Sequence, residues 1–280
     1  MYVSIIPLAH SMSTTPLTYQ WGDIFSQEEI AIWSLMEITV GKHMEYGIYA
    51  GEYRDMLPKS EIKNIERIVA KRTIIEPYQI EIIQYLAKTY FLPIHRVLGF
   101  FLSRPLMKRL EKYGYDVLLC GERIEHTQVQ NTRELIVAAT GITNEMINNY
   151  TTAGTIIVCP DDFYLYNLSE GISDEKTFFL PAEATETQKT KAWIDIYMWK
   201  YERIFWTRRI LYYNLASYQK VLYLEDAFQW EYFHYPTRIH YLDILREFSK
   251  VTDLDIQILT TNPLLTTLQK FRDFELINLP

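Results

Sequence analysis

Apolar and polar positions divide the chain into two stretches of different rhythm. In the first, short alternating runs dominate. "YVSIIPL" (2–8) reads as a strand, and "IAIWSLMEITV" (30–40) with "MEYGIYAG" (44–51) reads as two more, joined at "GKH". "LPKSEIKNIERIVAKR" (57–72) fits helix or strand equally. "PYQIEIIQYLAKTYF" (77–91) has helical spacing, with Ile80, Ile83, Leu86, Ala87 and Tyr90 on one face. "HRVLGFFLSRPLMKRLEKYG" (95–114) continues helically and is expected to break at Arg104-Pro105.

Beyond that point the apolar runs are short and continuous: "DVLLCG" (116–121), "GTIIVCP" (154–160), "RIFW" (203–206), "KVLYLED" (220–226) and "IQILTTN" (256–262). Helical segments separate them, among them "ETQKTKAWIDIYMWKYE" (186–202) and "TRIHYLDILREFSKV" (237–251). Buried strands alternating with helices imply crossover connections and a parallel sheet. The expected architecture is therefore an α+β, barrel-like sheet domain over 1–106 and an α/β lobe with a mainly parallel sheet over 107–280. On such a lobe, ligands bind at the carboxyl ends of strands. The expected ends are Gly121, Pro160-Asp161, Trp206-Thr207, Glu225-Asp226 and Thr260–Asn262.

Composition narrows the picture only a little. An apolar share of 48% in 280 residues supplies a sizeable core, and a net charge of −7 argues against indiscriminate coating of nucleic acid. Residues 41–112 nevertheless hold 13 Lys and Arg against 8 Asp and Glu, which permits a local DNA contact. Cys120 and Cys159 end apolar runs and read as buried thiols; without a CxxC pair they offer no zinc site. His234 and His240 show no metal-ligand spacing, and His240 is expected on a packed helix face with Tyr241 and Ile244. No run of 18 apolar residues is present, so no membrane span is expected, and the cysteine usage suits a reducing cytoplasm.

The chemistry worth testing is nucleotide hydrolysis. "VLYLEDAF" resembles a strand that ends in carboxylates for Mg²⁺ and the attacking water, but Leu224 stands where the first acid belongs. A phosphate loop needs glycines, a lysine and a Ser or Thr. After "DVLLC", Gly121 opens such a loop and Thr127 could close it, yet Glu122, Arg123, Ile124, Glu125 and His126 lie between. Neither a lysine nor a second glycine is there.

The order of these pieces resembles the PriA-type primosomal helicases. That family reads LLHGVTGSGKTEV, a strand into a Pro-Glu motif, GTRSALFAP, a strand into DEEH, PRYHARD and GSATPS. Here "LLCGERIEHTQV" falls at the first and "GTIIVCPDD" at the second, with Pro160 retained and Asp161 for Glu. Thr207-Arg208 match the third, with Trp206 for its glycine; Glu225 matches within the fourth, with Asp226 for its second glutamate and Leu224 and Ala227 for its ends; Arg238, His240 and Asp243 match the fifth, and Pro263 the last. Upstream, "LTYQWGD" resembles FDYxVP, "SLMEITVGKHMEYGIYAG" resembles GxxVxVPFGxRxxxGIV with Gly41 and Gly47 in register, and "IKNIERIVAKR" aligns Lys63 with a family lysine.

The resemblance implies a 3′-end DNA-binding domain followed by a RecA-like first motor lobe. It implies a pocket for a nascent 3′ end at Thr18, Tyr19, Gly41 and Lys63, where a ring stacks on a base, a glycine admits backbone and an amine pairs with phosphate. Read without it, Tyr19 and Lys63 are a half-buried sheet tyrosine and a surface lysine. The family uses ATP and Mg²⁺. With Gly121, Thr127, Glu225 and Asp226 as relics, no cofactor and no working helicase are expected. The family's winged-helix insert, second motor lobe and zinc-binding cysteines have no counterpart in these residues. The leading expectation is a non-catalytic protein of replication restart that binds forked or single-stranded DNA, with other primosome proteins or a second motor chain as partners. The alternatives are a scaffold that binds no DNA and a helicase subunit with residual ATP binding.

Overall fold

A computed structural model describes residues 2–8, 16–22, 30–54, 62–113, 131–170, 174–181, 183–225, 233–234 and 237–279. Its contacts divide the chain into two units, Met1–Gly121 and Glu122–Pro280.

The first unit is built on a closed five-stranded barrel in the order β1-β2-β5-β3-β4. The strands are β1 (Tyr2–Pro7), β2 (Leu17–Gln20), β3 (Ser34–Val40), β4 (His43–Glu52) and β5 (Lys63–Thr73). Segment 57–72, open between helix and strand from its pattern, is strand from Lys63 onward, paired with β3 on one side and β2 on the other. Val3, Ile5, Tyr19, Trp21, Met36, Ile38, Tyr49 and Ile65 fill the barrel. Alternation along the strands puts these residues inside and their neighbours outside. The β3–β4 hairpin turns at Gly41-Lys42, with Val40 opposite His43. Gly41 has φ +62° and Lys42 is not in the left-handed region, the type II′ pattern that suits a glycine in first place.

Three helices follow: α1 (Pro77–Thr89), α2 (Ile94–Phe101) and α3 (Arg104–Tyr113). In α1 the buried face is Gln79, Ile82, Ile83 and Leu86, so the stripe is rotated from the one expected and takes Ile82 in place of Ile80. Pro77 begins α1, where its missing N–H costs nothing, and the Gln79 side chain accepts the Glu76 N–H at 3.0 Å. The break between α2 and α3 falls at Leu102-Ser103. Pro105 lies in the first turn of α3, and Ser103 Oγ accepts the Leu106 N–H at 3.3 Å.

The second unit is a seven-stranded sheet in the order β14-β6-β13-β10-β7-β9-β8. These are β6 (Arg133–Ala138), β7 (Thr155–Cys159), β8 (Thr177–Leu180), β9 (Arg203–Thr207), β10 (Lys220–Glu225), β13 (Asp255–Thr260) and β14 (Glu275–Leu279). A small hairpin pairs β11 (Phe233–His234) with β12 (Ile239–His240). Every pairing in the large sheet is parallel, as expected of an α/β lobe with a mainly parallel sheet. The crossover helices are α4 (Asn144–Tyr150), α5 (Asp162–Ser169), α6 (Glu186–Tyr197), α7 (Tyr241–Val251) and α8 (Leu265–Lys270). The anticipated strands at 154–160, 203–206, 220–226 and 256–262 are present; the one at 116–121, with Cys120, lies outside the described residues. Strands β6, β8 and β14 were not foreseen. Among the described residues no helix is long and apolar enough to cross a membrane.

Candidate nucleic-acid site

At one end of the barrel, two side chains from adjacent strands hold the β3–β4 hairpin. Tyr19 and Lys63 are direct partners in the parallel β2–β5 pair, so they project to the same face. The Tyr19 ring lies in the barrel core, 4% exposed, and its hydroxyl donates to the Thr39 carbonyl at 3.0 Å. Burial pushes that phenol up to about 12, so it remains a donor at physiological pH. The Lys63 ammonium donates to the Gly41 carbonyl. Thr39 is held a second time, its hydroxyl donating to Glu66 at 2.7 Å. Among the described residues, its chain neighbours aside, nothing lies within 4 Å of where a Cβ on Gly41 would stand. Lys42 and His43 are exposed beside it.

The structure thus brings together Tyr19, Gly41 and Lys63. Thr18 sits elsewhere: it pairs with Ser4, and strand alternation turns it to the barrel's outer face. The Tyr19 ring, expected as a stacking face, is enclosed by core residues, and its role here is to brace the hairpin. Thr39 and Glu66 were missed in the sequence. Their involvement depends on the β3–β5 register, which shifts between Glu37 and Ile38 and leaves no mark in the residue pattern.

The other candidate region is the carboxyl end of the parallel sheet. Val137, Thr260 and Glu225 lie side by side across β6, β13 and β10. Glu225 is 0% exposed; it accepts hydrogen bonds from Thr267 on α8 and from Thr260. Its Oε2 is buried and has no hydrogen-bond partner among the described residues. Burial raises its pKa above the ordinary carboxylate range, while the two threonines and Arg208 oppose the shift. Arg208, just past β9, is buried with its guanidinium 6.0 Å from the centre of the Tyr241 ring. His240 is the N-cap of α7, not part of its apolar stripe, and its Nδ1 accepts the Leu242 N–H at 3.1 Å. Burial and the cations of Lys270 and Arg208 pull its pKa down to about 4, in keeping with an accepting, neutral ring. Asp243 forms an ion pair with Lys270, and Asp161 caps α5 by accepting the Tyr164 N–H at 2.7 Å. Gly121, Thr127 and Asp226 lie outside the described residues. Among the described residues no three His, Cys, Asp or Glu side chains group to hold a metal ion.

The buried carboxyl gives a pH dependence of known sign. Glu225 binds its proton more tightly in the folded chain than in the unfolded one. Its contribution is therefore full below the ordinary carboxylate pKa and is lost as pH rises through the folded value. Glu225→Gln should raise the melting temperature at pH 8 and leave it nearly unchanged at pH 4. A difference that is the same at both pH values would mean that the carboxyl binds its proton no more tightly in the fold than in the unfolded chain.

Comparison with known proteins bears on the barrel unit. Residues 5–103 match the family model of the PriA 3′DNA-binding domain (3′BD). By that match the barrel unit is similar to a PriA 3′DNA-binding domain. The match takes in the barrel from Ile5, midway along β1, together with α1 and α2, and so includes Thr18, Tyr19, Gly41 and Lys63. In the matched region the hairpin at Gly41 is held by Tyr19 and Lys63. No curated protein matches the chain. Among solved structures, the Hef helicase domain of Pyrococcus furiosus is similar at 16% identity and a TM-score of 0.35, over 54% of this chain and 36% of that one.

Proposed function

We propose that this chain is a cytoplasmic, non-catalytic DNA-binding protein of replication restart that receives a strand's 3′ end at the Gly41 hairpin. The observation that carries this reading is the convergence of Lys63 and Tyr19 on that hairpin within a 3′DNA-binding domain. A backbone turn with open space above it admits close approach of a sugar or phosphate. Lys63 and the exposed Lys42 supply positive charge beside it. Thr18, on the outer face, is left out of this contact.

The non-catalytic part rests on the strand ends. Neither 121–127 nor 139–146, the segment that follows β6, contains a lysine. β6 occupies the place beside β13 where the strand order reverses, so its end, "ATGIT" (139–143), faces the crevice in which such sheets bind ligands. Glu225, which would have to meet magnesium and water, is enclosed and hydrogen-bonded to two threonines.

Lys63→Ala should weaken binding to a recessed-end duplex about tenfold at moderate salt and lower the slope of log K against log salt by about one. Fluorescence anisotropy across a salt series measures both. An unchanged affinity and slope would remove Lys63 from the site.

A second reading, a protein-docking role for the sheet unit, is favoured by one observation. α8 is turned inside out: Thr267 is buried against Glu225, whereas Leu265 is 69% exposed and Leu268 is also exposed. A chain that binds no DNA at any salt concentration would leave this reading standing in place of the first.

A further inference from the structure

Phe91 lies at the corner between α1 and α2, in the left-handed region at φ +51°. The corner closes α1 as a Schellman turn. Tyr90 is the C-cap, Phe91 follows in the left-handed position, and the Leu92 N–H reaches back to the Ala87 carbonyl at 3.0 Å. Glycine suits that position, because any Cβ there crowds the adjoining peptide. A phenylalanine is the opposite choice. Two other aromatic residues among those described share a positive φ, Trp33 and Trp199, and both are half-buried, so packing offsets their strain. Phe91 has no such offset: it is 94% exposed, the most exposed large apolar side chain among the described residues. Neither backbone preference nor core packing accounts for the ring.

Its surroundings point to the chemistry. Lys88, Thr89 and Arg96 are exposed on the same corner, and Lys108 and Lys112 are exposed on α3. Residues 77–113 hold six Lys and Arg against two Asp and Glu, in a chain whose net charge is −7. A protein hot spot sits in an apolar patch that excludes water, and the exposed neighbours of Phe91 are polar and basic. A single ring face flanked by cations is what an unstacked base with its phosphates requires.

We infer that Phe91, with Lys88 and Arg96, forms a second DNA contact in the barrel unit, where the ring stacks on an unpaired base and the two cations hold its flanking phosphates. This deepens the proposed function and rests on it: the Gly41 hairpin takes the strand end, and the α1–α2 corner takes single-stranded DNA beside it. Stacking of one base is worth about tenfold in affinity.

The test compares wild type, Phe91→Gly, Phe91→Trp and Lys88→Ala/Arg96→Ala. The probes are a fluorescein-labelled oligothymidine and a recessed-end duplex with a single-stranded overhang, titrated at several salt concentrations. Phe91→Gly relieves the backbone and should melt at or above the wild-type temperature, so lost binding cannot be laid to unfolding. It should bind oligothymidine about tenfold more weakly with an unchanged salt slope, and Phe91→Trp should retain affinity. The double basic variant should reduce the slope by up to about two. If Phe91→Gly binds as wild type does while Lys63→Ala is weakened, the corner is no DNA contact and the ring serves a protein partner, with the hairpin site intact. If the wild-type chain binds neither probe, the proposed function fails and this inference with it.

Discussion

Leu224→Asp is expected to destabilise the second unit by at least about 3 kcal/mol and to restore no nucleotide hydrolysis. The substitution writes an acid into the position that the helicase motif wants, one residue before Glu225. In the sheet that position is core. Leu224 is fully buried on the central strand β10 and belongs to the cluster of Leu222, Leu259, Ile136 and Phe205. Its direct neighbour across the β10–β13 pair is Leu259. An aspartate there loses the leucine's contacts and takes a carboxylate into apolar surroundings with no cation in that cluster. Urea unfolding of the purified variant measures the loss. A variant as stable as wild type would show that the strand end opens to solvent and could again reach a metal.

Gly47→Val should be the most damaging single change in the barrel. Gly47 sits mid-strand in β4 between Pro7 of β1 and Met36 of β3. A Cβ there would stand 2.4 Å from Ile5 Cγ2 and 2.9 Å from Ile38 Cδ1, both from residues of the barrel core. Isoleucine is branched at Cβ and has few rotamers to escape into, so the strain passes to the backbone of a closed sheet. Alanine alone should cost about 1–3 kcal/mol, and valine more, since its two methyls also need room. Because both partners of β4 are affected, Gly47→Val should lose DNA binding together with the barrel's melting transition. Normal melting of Gly47→Ala would mean that the barrel has slack in its core, contrary to the contacts above.

Gly47 also shows how much was legible beforehand. The family resemblance placed it in register, but the pattern could not say that it is the point where two isoleucines meet. Gly41 was read as a place for backbone approach; in the fold its positive φ makes the tight turn of the β3–β4 hairpin. Elements whose periodicity is strong were visible: the β3–β4 hairpin, α1, and strands β7, β9, β10 and β13. The misses share a cause. β14 is an exposed edge strand with only Ile277 and Leu279 half-buried, so its apolar signal is weak. β8 is four residues long, and β6 begins with Arg133-Glu134. Arg133 also fixes the end of α7 and the loop after it, far away in sequence, donating to the carbonyls of Ser249, Thr252 and Leu254. Such long-range polar contacts leave no periodic trace. The same holds for the site: Thr18, adjacent to Tyr19 in sequence, is removed from it by strand alternation, whereas Glu66 and Thr39 join through pairing.

The most direct test of the central claim is fluorescence anisotropy on a recessed-end duplex that differs only at the terminus, a free 3′-hydroxyl or a 3′-phosphate, at one fixed moderate salt concentration. Recognition of the strand end at the Gly41 hairpin predicts tighter binding to the free hydroxyl, with the preference lost in Lys63→Ala. Equal affinity for the two termini would contradict end recognition.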